Sequence, residues 1–226
     1  MLESNLKDIE RSRDQRWLQN SPTSAFKLRW QALNLRNCLH ILPGESILEF
    51  GAGRGLMTQR LASVLRGENR VTAVVFNRSL YDEANRKSLP GVKWLLVEDL
   101  ARDLPGASFD YVVGSGILCH ARFAENLRAV YRLLRPGGQF LFFEQNQNNP
   151  GFLLRALAAR FLWPRRHSHP RRISPYRMMQ SCSHQGFTHV ELTPYDILHR
   201  LTPASIVPWL EAKVIILEQA PVMRLF

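Results

Sequence analysis

Residues Ile47 to Leu56 read ILEFGAGRGL. Four residues of strand character run into three glycines spaced two apart, and an amphipathic run begins where the glycines end. A strand that feeds a glycine-rich turn and then a helix is how open α/β sheets receive nucleotides, because the missing side chains let a ligand approach the backbone beside a helix N-terminus. The spacing argues against two common versions of that turn. A dinucleotide turn needs G-x-G-x-x-G, whereas here Leu56 stands where the third glycine belongs and Gly55 falls one residue early. A triphosphate loop ends in Gly-Lys-Ser/Thr, and Arg54-Gly55-Leu56 does not supply that ending. Glu49, two positions before the first glycine, would repel a phosphate and suits a ligand that carries an ammonium group.

Outward from this turn the chain keeps a regular rhythm. Ser46 to Phe50 is a short apolar run, Met57 to Leu65 puts Met57, Leu61, Val64 and Leu65 on one helical face, and Val71 to Phe76 is strand-like. Residues 79 to 87 suit a helix, Val92 to Val97 a third strand and Phe109 to Gly114 a fourth. Residues 121 to 135 place Phe123, Leu127, Val130 and Leu134 together on a helix, and Gln139 to Phe143 makes a fifth strand after the turn Pro136-Gly137-Gly138. Continuous apolar strands alternating with amphipathic helices predict a doubly wound, Rossmann-like α/β fold, with a mostly parallel sheet covered on both faces. Residues 1 to 43 read as helical, broken at Ser21-Pro22 and ended by Pro43-Gly44. After Pro150 the rhythm is lost. Gly151 to Trp163 reads as an apolar and arginine helix, and Ser174 to Ser183 as a helix capped by Ser174 with Pro175 at its first position. Phe187 to Thr193 suits a strand, and the end reads either as a strand over Ala212 to Gln219 or as one helix over Ser205 to Leu217.

Length and composition bound the rest. At 226 residues, 45% apolar and 22% charged, the chain suits one folded domain rather than a disordered segment. No apolar run approaches the roughly 20 residues that span a bilayer, and the charged start MLESNLKDIERSRDQRW does not read as a secretory signal. Three scattered cysteines, Cys38, Cys119 and Cys182, suit reduced thiols, and the expected location is the cytoplasm. The net charge is +11, and Gly151 to Gln180 holds seven arginines with no acidic residue. Such a segment attracts nucleic acid, an anionic membrane surface or an anionic substrate, or is simply a solvated basic face.

Glu49-Phe50-Gly51-Ala52-Gly53-Arg54-Gly55 resembles motif I of the class I S-adenosylmethionine-dependent methyltransferases, E/D-x-G-x-G-x-G. Asp99 followed by Phe109-Asp110-Tyr111-Val112-Val113 is similar to that family's acid-then-FD segment, and Leu133-Leu134-Arg135-Pro136-Gly137-Gly138 to its L-L-x-P-G-G turn before strand five. The resemblance covers about residues 40 to 145. It implies a helical cap over 1–43, a cofactor-binding core over 44–150, and an acceptor-side lid with C-terminal elements over 151–226, all in one domain. It implies S-adenosyl-L-methionine as cofactor, with the amino-acid end against the glycine turn, Asp99 on the adenine amino group and the backbone of Leu100 on the ring. One position departs: Val75 falls where the family usually ends strand two with an acid that holds both ribose hydroxyls. Asn77 is placed to reach the ribose instead, and Phe76 to lie against the adenine. The expected cofactor contacts are therefore Glu49, Gly51, Ala52, Gly53, Phe76, Asn77, Asp99, Leu100 and Ser115.

Methyl transfer from a sulfonium needs positioning, exclusion of water and sometimes removal of a proton. His120, after strand four, is the candidate catalytic base because its ordinary pKa suits that task, and the Glu144 to Asn149 loop after strand five offers groups to orient an acceptor. His167-Ser168-His169 and Cys182-Ser183-His184 match no usual zinc spacing, so no metal is expected. The resemblance implies that the N-terminal helices and the segment after strand five roof the acceptor pocket. Trp17, Phe26, Trp30 and the apolar, basic-flanked stretch Phe152 to Trp163 then suit a small apolar or aromatic acceptor with anionic character, and also suit peripheral contact with an anionic membrane or lipid-like substrate. Two other readings stay open: a nucleic-acid modifying or binding protein, favoured by the charge, and a methyltransferase-like scaffold without methyl transfer, favoured by Val75.

Overall fold

The computed structural model describes residues 2–17, 22–98, 100–118, 123–144, 174–193 and 205. The chain divides into two compact units, one of residues 1–20 and 24–144, the other of 21–23 and 145–226. The first unit contains helix α1 (Leu2–Trp17) and, from residue 24 onward, α2 (Pro22–Cys38), then β1 (Ser46–Phe50), α3 (Leu56–Leu65), β2 (Arg70–Val75), α4 (Arg78–Ala84) and β3 (Val92–Leu96). It continues with α5 (Leu100–Asp103), β4 (Phe109–Ser115), α6 (Phe123–Leu133) and β5 (Leu134–Phe143). In the second unit, α7 (Pro175–Gln185) is described.

The five strands form one sheet in the order β3-β2-β1-β4-β5, and every neighbouring pair is parallel. This is the doubly wound α/β architecture expected from the strand and helix rhythm. Central strands buried on both faces need apolar side chains on both, and Ile47, Leu48, Phe50, Val74 and Val112 are all fully buried. The strand order reverses between β1 and β4, so their carboxyl ends diverge and open a crevice, the usual ligand position in such sheets. At the opposite end of the sheet, Ser46 donates through both N–H and Oγ to Asp110 Oδ2, at 2.8 and 2.6 Å, and Arg135 pairs with the same carboxylate. Asp110, part of the family-like FD segment, thus ties the starts of β1, β4 and β5.

Several local features differ from the sequence expectation. β5 begins at Leu134, before the Pro136-Gly137-Gly138 turn, because that turn is absorbed as a register irregularity: Phe109 pairs with Leu134, and Tyr111 already pairs with Gln139. The fourth helix starts at Arg78 because Asn77 caps it, its side-chain oxygen accepting from Ser79 N and Leu80 N. Ser174 and Pro175 open α7 as expected, with the Ser174 hydroxyl accepting from Arg177 N. Phe187 to Thr193 is irregular chain and not a strand: the Phe187 N–H closes the end of α7 on the Cys182 carbonyl. The expected lid helix over 151–163 and the alternatives for the C-terminal end lie outside the described residues. Among the described residues, no helix is long and apolar enough to cross a membrane.

Candidate functional site

At the carboxyl end of β1 the chain turns through Gly51, Ala52 and Gly53 before α3 begins. Gly51 has φ +76°, and a Cβ there would lie 2.2 Å from Ile117 Cδ1, so the turn requires glycine for both conformation and space. Gly53 has φ +58°, and its bare side faces the N-terminal helix: a Cβ would lie 2.4 Å from Asp14 Oδ2 and 2.6 Å from Arg13 Nη2.

Glu49 is buried at the end of β1, and its Oε2 has no hydrogen-bond partner among the described residues. Burial pushes its carboxyl up to about 7, and the Thr58 hydroxyl and Arg13 offset this only in part. A buried carboxylate with an unused oxygen is costly unless a donor or a cation reaches it. A small cavity beside it, of about 10 Å³ and room for roughly one water, is lined by Arg13, Asp14, Glu49, Ala52, Met57 and Ser115.

The crevice around it is occupied by α1. Leu6, Glu10, Arg13 and Asp14 recur at helical spacing and all four are buried, so α1 presents a mostly charged face to the sheet end. Glu10 accepts from Gly53 N at 2.9 Å through Oε1, and from Phe76 N and Asn77 N at 3.0 and 2.9 Å through Oε2. Arg13 Nη1 donates to the carbonyls of Gly51 and Ser115, at 2.6 and 3.0 Å. Asp14 accepts from Arg54 N at 2.6 Å and pairs with Arg13 at 2.8 Å. Three side chains therefore satisfy six backbone groups at the ends of β1, β2 and β4. Burial pushes Glu10 up to about 7, against the pull of Arg13 and of the Asn77 and Gly53 amides. Burial alone would lower Arg13, yet Asp14 and Glu10 hold it above its ordinary value.

The remaining sequence-selected residues fall around this crevice. Ala52 is buried, with its N–H on the Val74 carbonyl at 2.6 Å. Phe76 is fully buried and meets Phe50 edge-on at 5.2 Å. The Asn77 side-chain oxygen is committed to the α4 cap. Ser115 Oγ lies 3.4 Å from Gln31 Oε1 on α2, while its carbonyl takes Arg13. Leu100 is buried at the start of α5, and its carbonyl accepts from Arg132. Val75 is fully buried in an apolar cluster with Ala73, Leu80, Ala84 and Trp94. Asp99 and His120 lie outside the described residues. Glu144 Oε1 accepts from Ile117 N and Leu118 N, which anchors the β4 exit to the end of β5. Among the described residues there is no cluster of three or more His, Cys, Asp or Glu fit to hold a metal.

Glu10, Arg13 and Asp14 were not anticipated from the sequence. The available signal was the face Leu6, Glu10, Arg13, Asp14, where a packed helix normally repeats apolar residues.

The groups at the crevice fit a zwitterion. The Gly51 and Ser115 carbonyls and Glu49 can accept from an ammonium, and the amides of Gly53, Arg54, Phe76 and Asn77 suit anionic or hydroxyl oxygens.

Residues 47–138 match a family profile described as "Methyltransferase domain". The chain is 32% identical over 155 residues to a ubiquinone biosynthesis O-methyltransferase of Chromobacterium violaceum, across 64% of this chain and 65% of that protein. Among solved structures, a SAM-dependent methyltransferase from Aquifex aeolicus is similar with a TM-score of 0.53 at 16% identity, over 74% of this chain and 89% of the other. The [4+2]-cyclase SpnF is similar with a TM-score of 0.54 at 17% identity, over 70% and 56%, so this fold also serves a protein named for other chemistry. The chain spans just under two thirds of the length of the curated relative.

Proposed function

We propose that the chain is a class I S-adenosylmethionine-dependent methyltransferase and that it transfers a methyl group to a small apolar or aromatic acceptor with anionic character. The observation that carries this reading is the unpartnered, buried Glu49 oxygen beside a glycine turn whose backbone groups suit a zwitterion. When bound, S-adenosylmethionine supplies a methyl group already activated by the positive charge on its sulfur. The chain then has to bind, orient and exclude water. Glu49 and the Gly51 and Ser115 carbonyls hold the ammonium end, and the amides of Gly53 and Arg54 take the carboxylate. Leu100 and Asp99 serve the adenine end. Because Val75 brings no acid, the amides of Phe76 and Asn77 are the groups left at the end of β2 for the ribose.

For the acceptor, the carboxyl end of β5 presents Phe143 against Trp30 of α2, with ring centroids 5.8 Å apart. An aromatic edge there favours a flat or apolar acceptor. The name of the curated relative makes oxygen the first accepting atom to test, and His120 is the base assigned to take its proton. The excess of arginine in the sequence favours an acceptor that carries an anionic group.

The test is incubation with S-adenosylmethionine and a panel of catechols, phenolic acids and unrelated amines, followed by mass spectrometry for S-adenosylhomocysteine and methylated product. Turnover on a phenolic acid supports the reading. Cofactor binding without turnover on any acceptor favours a repurposed scaffold, for which the apolar Val75 position is the supporting observation. Turnover only on RNA, weakened steeply by salt, would replace the small-molecule assignment.

A further inference from the structure

We propose that α1 is an internal competitor of the cofactor: Glu10, Arg13 and Asp14 occupy the backbone groups that a zwitterionic ligand would use, and the ligand binds only when α1 leaves the crevice. This inference rests on the cofactor reading above and adds a control element to the same site.

The match is chemical as well as spatial. Arg13 donates to the Gly51 and Ser115 carbonyls, which is the work of an ammonium group. Asp14 and Glu10 accept from Arg54, Gly53, Phe76 and Asn77, which is the work of carboxylate and hydroxyl oxygens. The bare face of Gly53 is taken by Asp14 and Arg13, and the cavity beside Glu49 admits about one water, so at these backbone groups helix and ligand exclude each other.

The docked helix is also poorly matched in charge. Three carboxyl groups, Glu10, Asp14 and Glu49, face one buried guanidinium, with the part-buried Lys87 also acting on Asp14. A ligand with a sulfonium, an ammonium and a carboxylate carries one net positive charge, and exchanging it for α1 removes two of the three acids while giving Glu49 a cationic partner. The exchange gives the buried Glu49 a cationic partner, whereas among the described side chains of α1 the buried apolar one on this face is Leu6.

Competition has a quantitative signature: apparent affinity falls by the fraction of molecules in which the crevice is open. S-adenosylhomocysteine is the probe, because it binds without reacting. Calorimetric titration of the full chain is compared with Glu10→Gln and Arg13→Met, each checked for cooperative unfolding, and hydrogen exchange of α1 amides is followed in the unaltered chain with and without the probe. The expected result is affinity raised about tenfold or more in both variants, together with faster exchange in α1 when the probe is added. Unchanged or weaker binding by the variants, or α1 amides that become protected, overturns the competitor role and makes α1 part of the ligand's own pocket. No binding by any folded form removes the cofactor reading and this inference with it.

Discussion

Raising the pH from 5 to 8 should destabilise this protein, and the crevice sets both the sign and the size. Glu10 and Glu49 are pushed by burial from an ordinary value of 4.5 up to about 7. Glu10 faces Arg13, Asp14 and the Gly53 and Asn77 amides, and Glu49 faces Thr58, Arg13 and Asp14. In the unfolded chain both groups lose their protons near 4.5, so between about 4.5 and 7 the native state holds more protons. Stability then falls as pH rises and levels off above about 7. One pH unit of mismatch corresponds to about 1.4 kcal/mol, so each carboxyl costs about 3 kcal/mol at pH 8. The two do not add in full, because both draw on Arg13. The assay is urea unfolding at fixed ionic strength at pH 5, 6, 7 and 8, on the unaltered chain and on Glu49→Gln. The substitution should flatten the profile and raise the midpoint at pH 8. A stability that rises or stays level between pH 5 and 7, with the same slope in Glu49→Gln, would refute the reasoning.

Other perturbations test separate parts of the structure. Gly51→Ala should cost about 2–3 kcal/mol by urea unfolding, since it adds a left-handed penalty to a clash with Ile117; a neutral result would mean the turn relaxes freely. Asp110→Asn should lose about 1–2 kcal/mol at pH 7, because the Arg135 pair and the charge-assisted bonds from Ser46 go. Burial alone would raise this acid, but Ser46 and Arg135 hold it below its ordinary value. Its contribution is therefore present above the unfolded pKa and disappears as pH falls through the lowered native one, so the two chains should converge in strong acid. Val75→Asp should cost about 2–4 kcal/mol in the same assay, because the new carboxyl enters an apolar cluster; tighter cofactor binding with unchanged stability would show that the position faces the ligand. Binding of S-adenosylhomocysteine near pH 6.5 should release protons, measured as a dependence of calorimetric heat on buffer ionisation. Glu10 freed into water returns to its ordinary range, and Glu49 gains a cationic partner.

The sheet was legible because its determinants are local. ILEFGAGRGL encodes a strand end, a turn that only glycine fits and a helix start, and apolar runs such as Phe109 to Val113 mark strands buried on both faces. Ser174 and Pro175 opened α7 for the same reason: a cap and its first turn are neighbours in sequence. What pattern reading missed depends on distant partners. Leu134 to Gly138 reads as a turn, yet Leu134 pairs with Phe109 and draws the segment into β5. Asn77 carries an amide that suits a ribose, but the start of α4 uses its oxygen first. The charged face of α1 was hidden most completely. Periodicity assigns charged stripes to solvent, and nothing within residues 2 to 17 reports that the amides and carbonyls they meet come from residues 51 to 115.

Those amides and carbonyls explain why the charged face of α1 docks at all. The turns at the ends of β1, β2 and β4 leave strong backbone donors and acceptors open, and any of them buried without a partner would cost about 1–3 kcal/mol. In open water they would be hydrated. Under α1 they are satisfied by Glu10, Arg13 and Asp14, and the expense moves to desolvating those three side chains, which is visible in the raised carboxyl of Glu10. The helix is therefore held by the same groups that a ligand needs, at a charge imbalance that a cationic ligand relieves. Strengthening α1 with apolar residues on this face would remove that imbalance but leave the six backbone groups unpaired. The charged face is accordingly the form a displaceable helix has to take in this crevice.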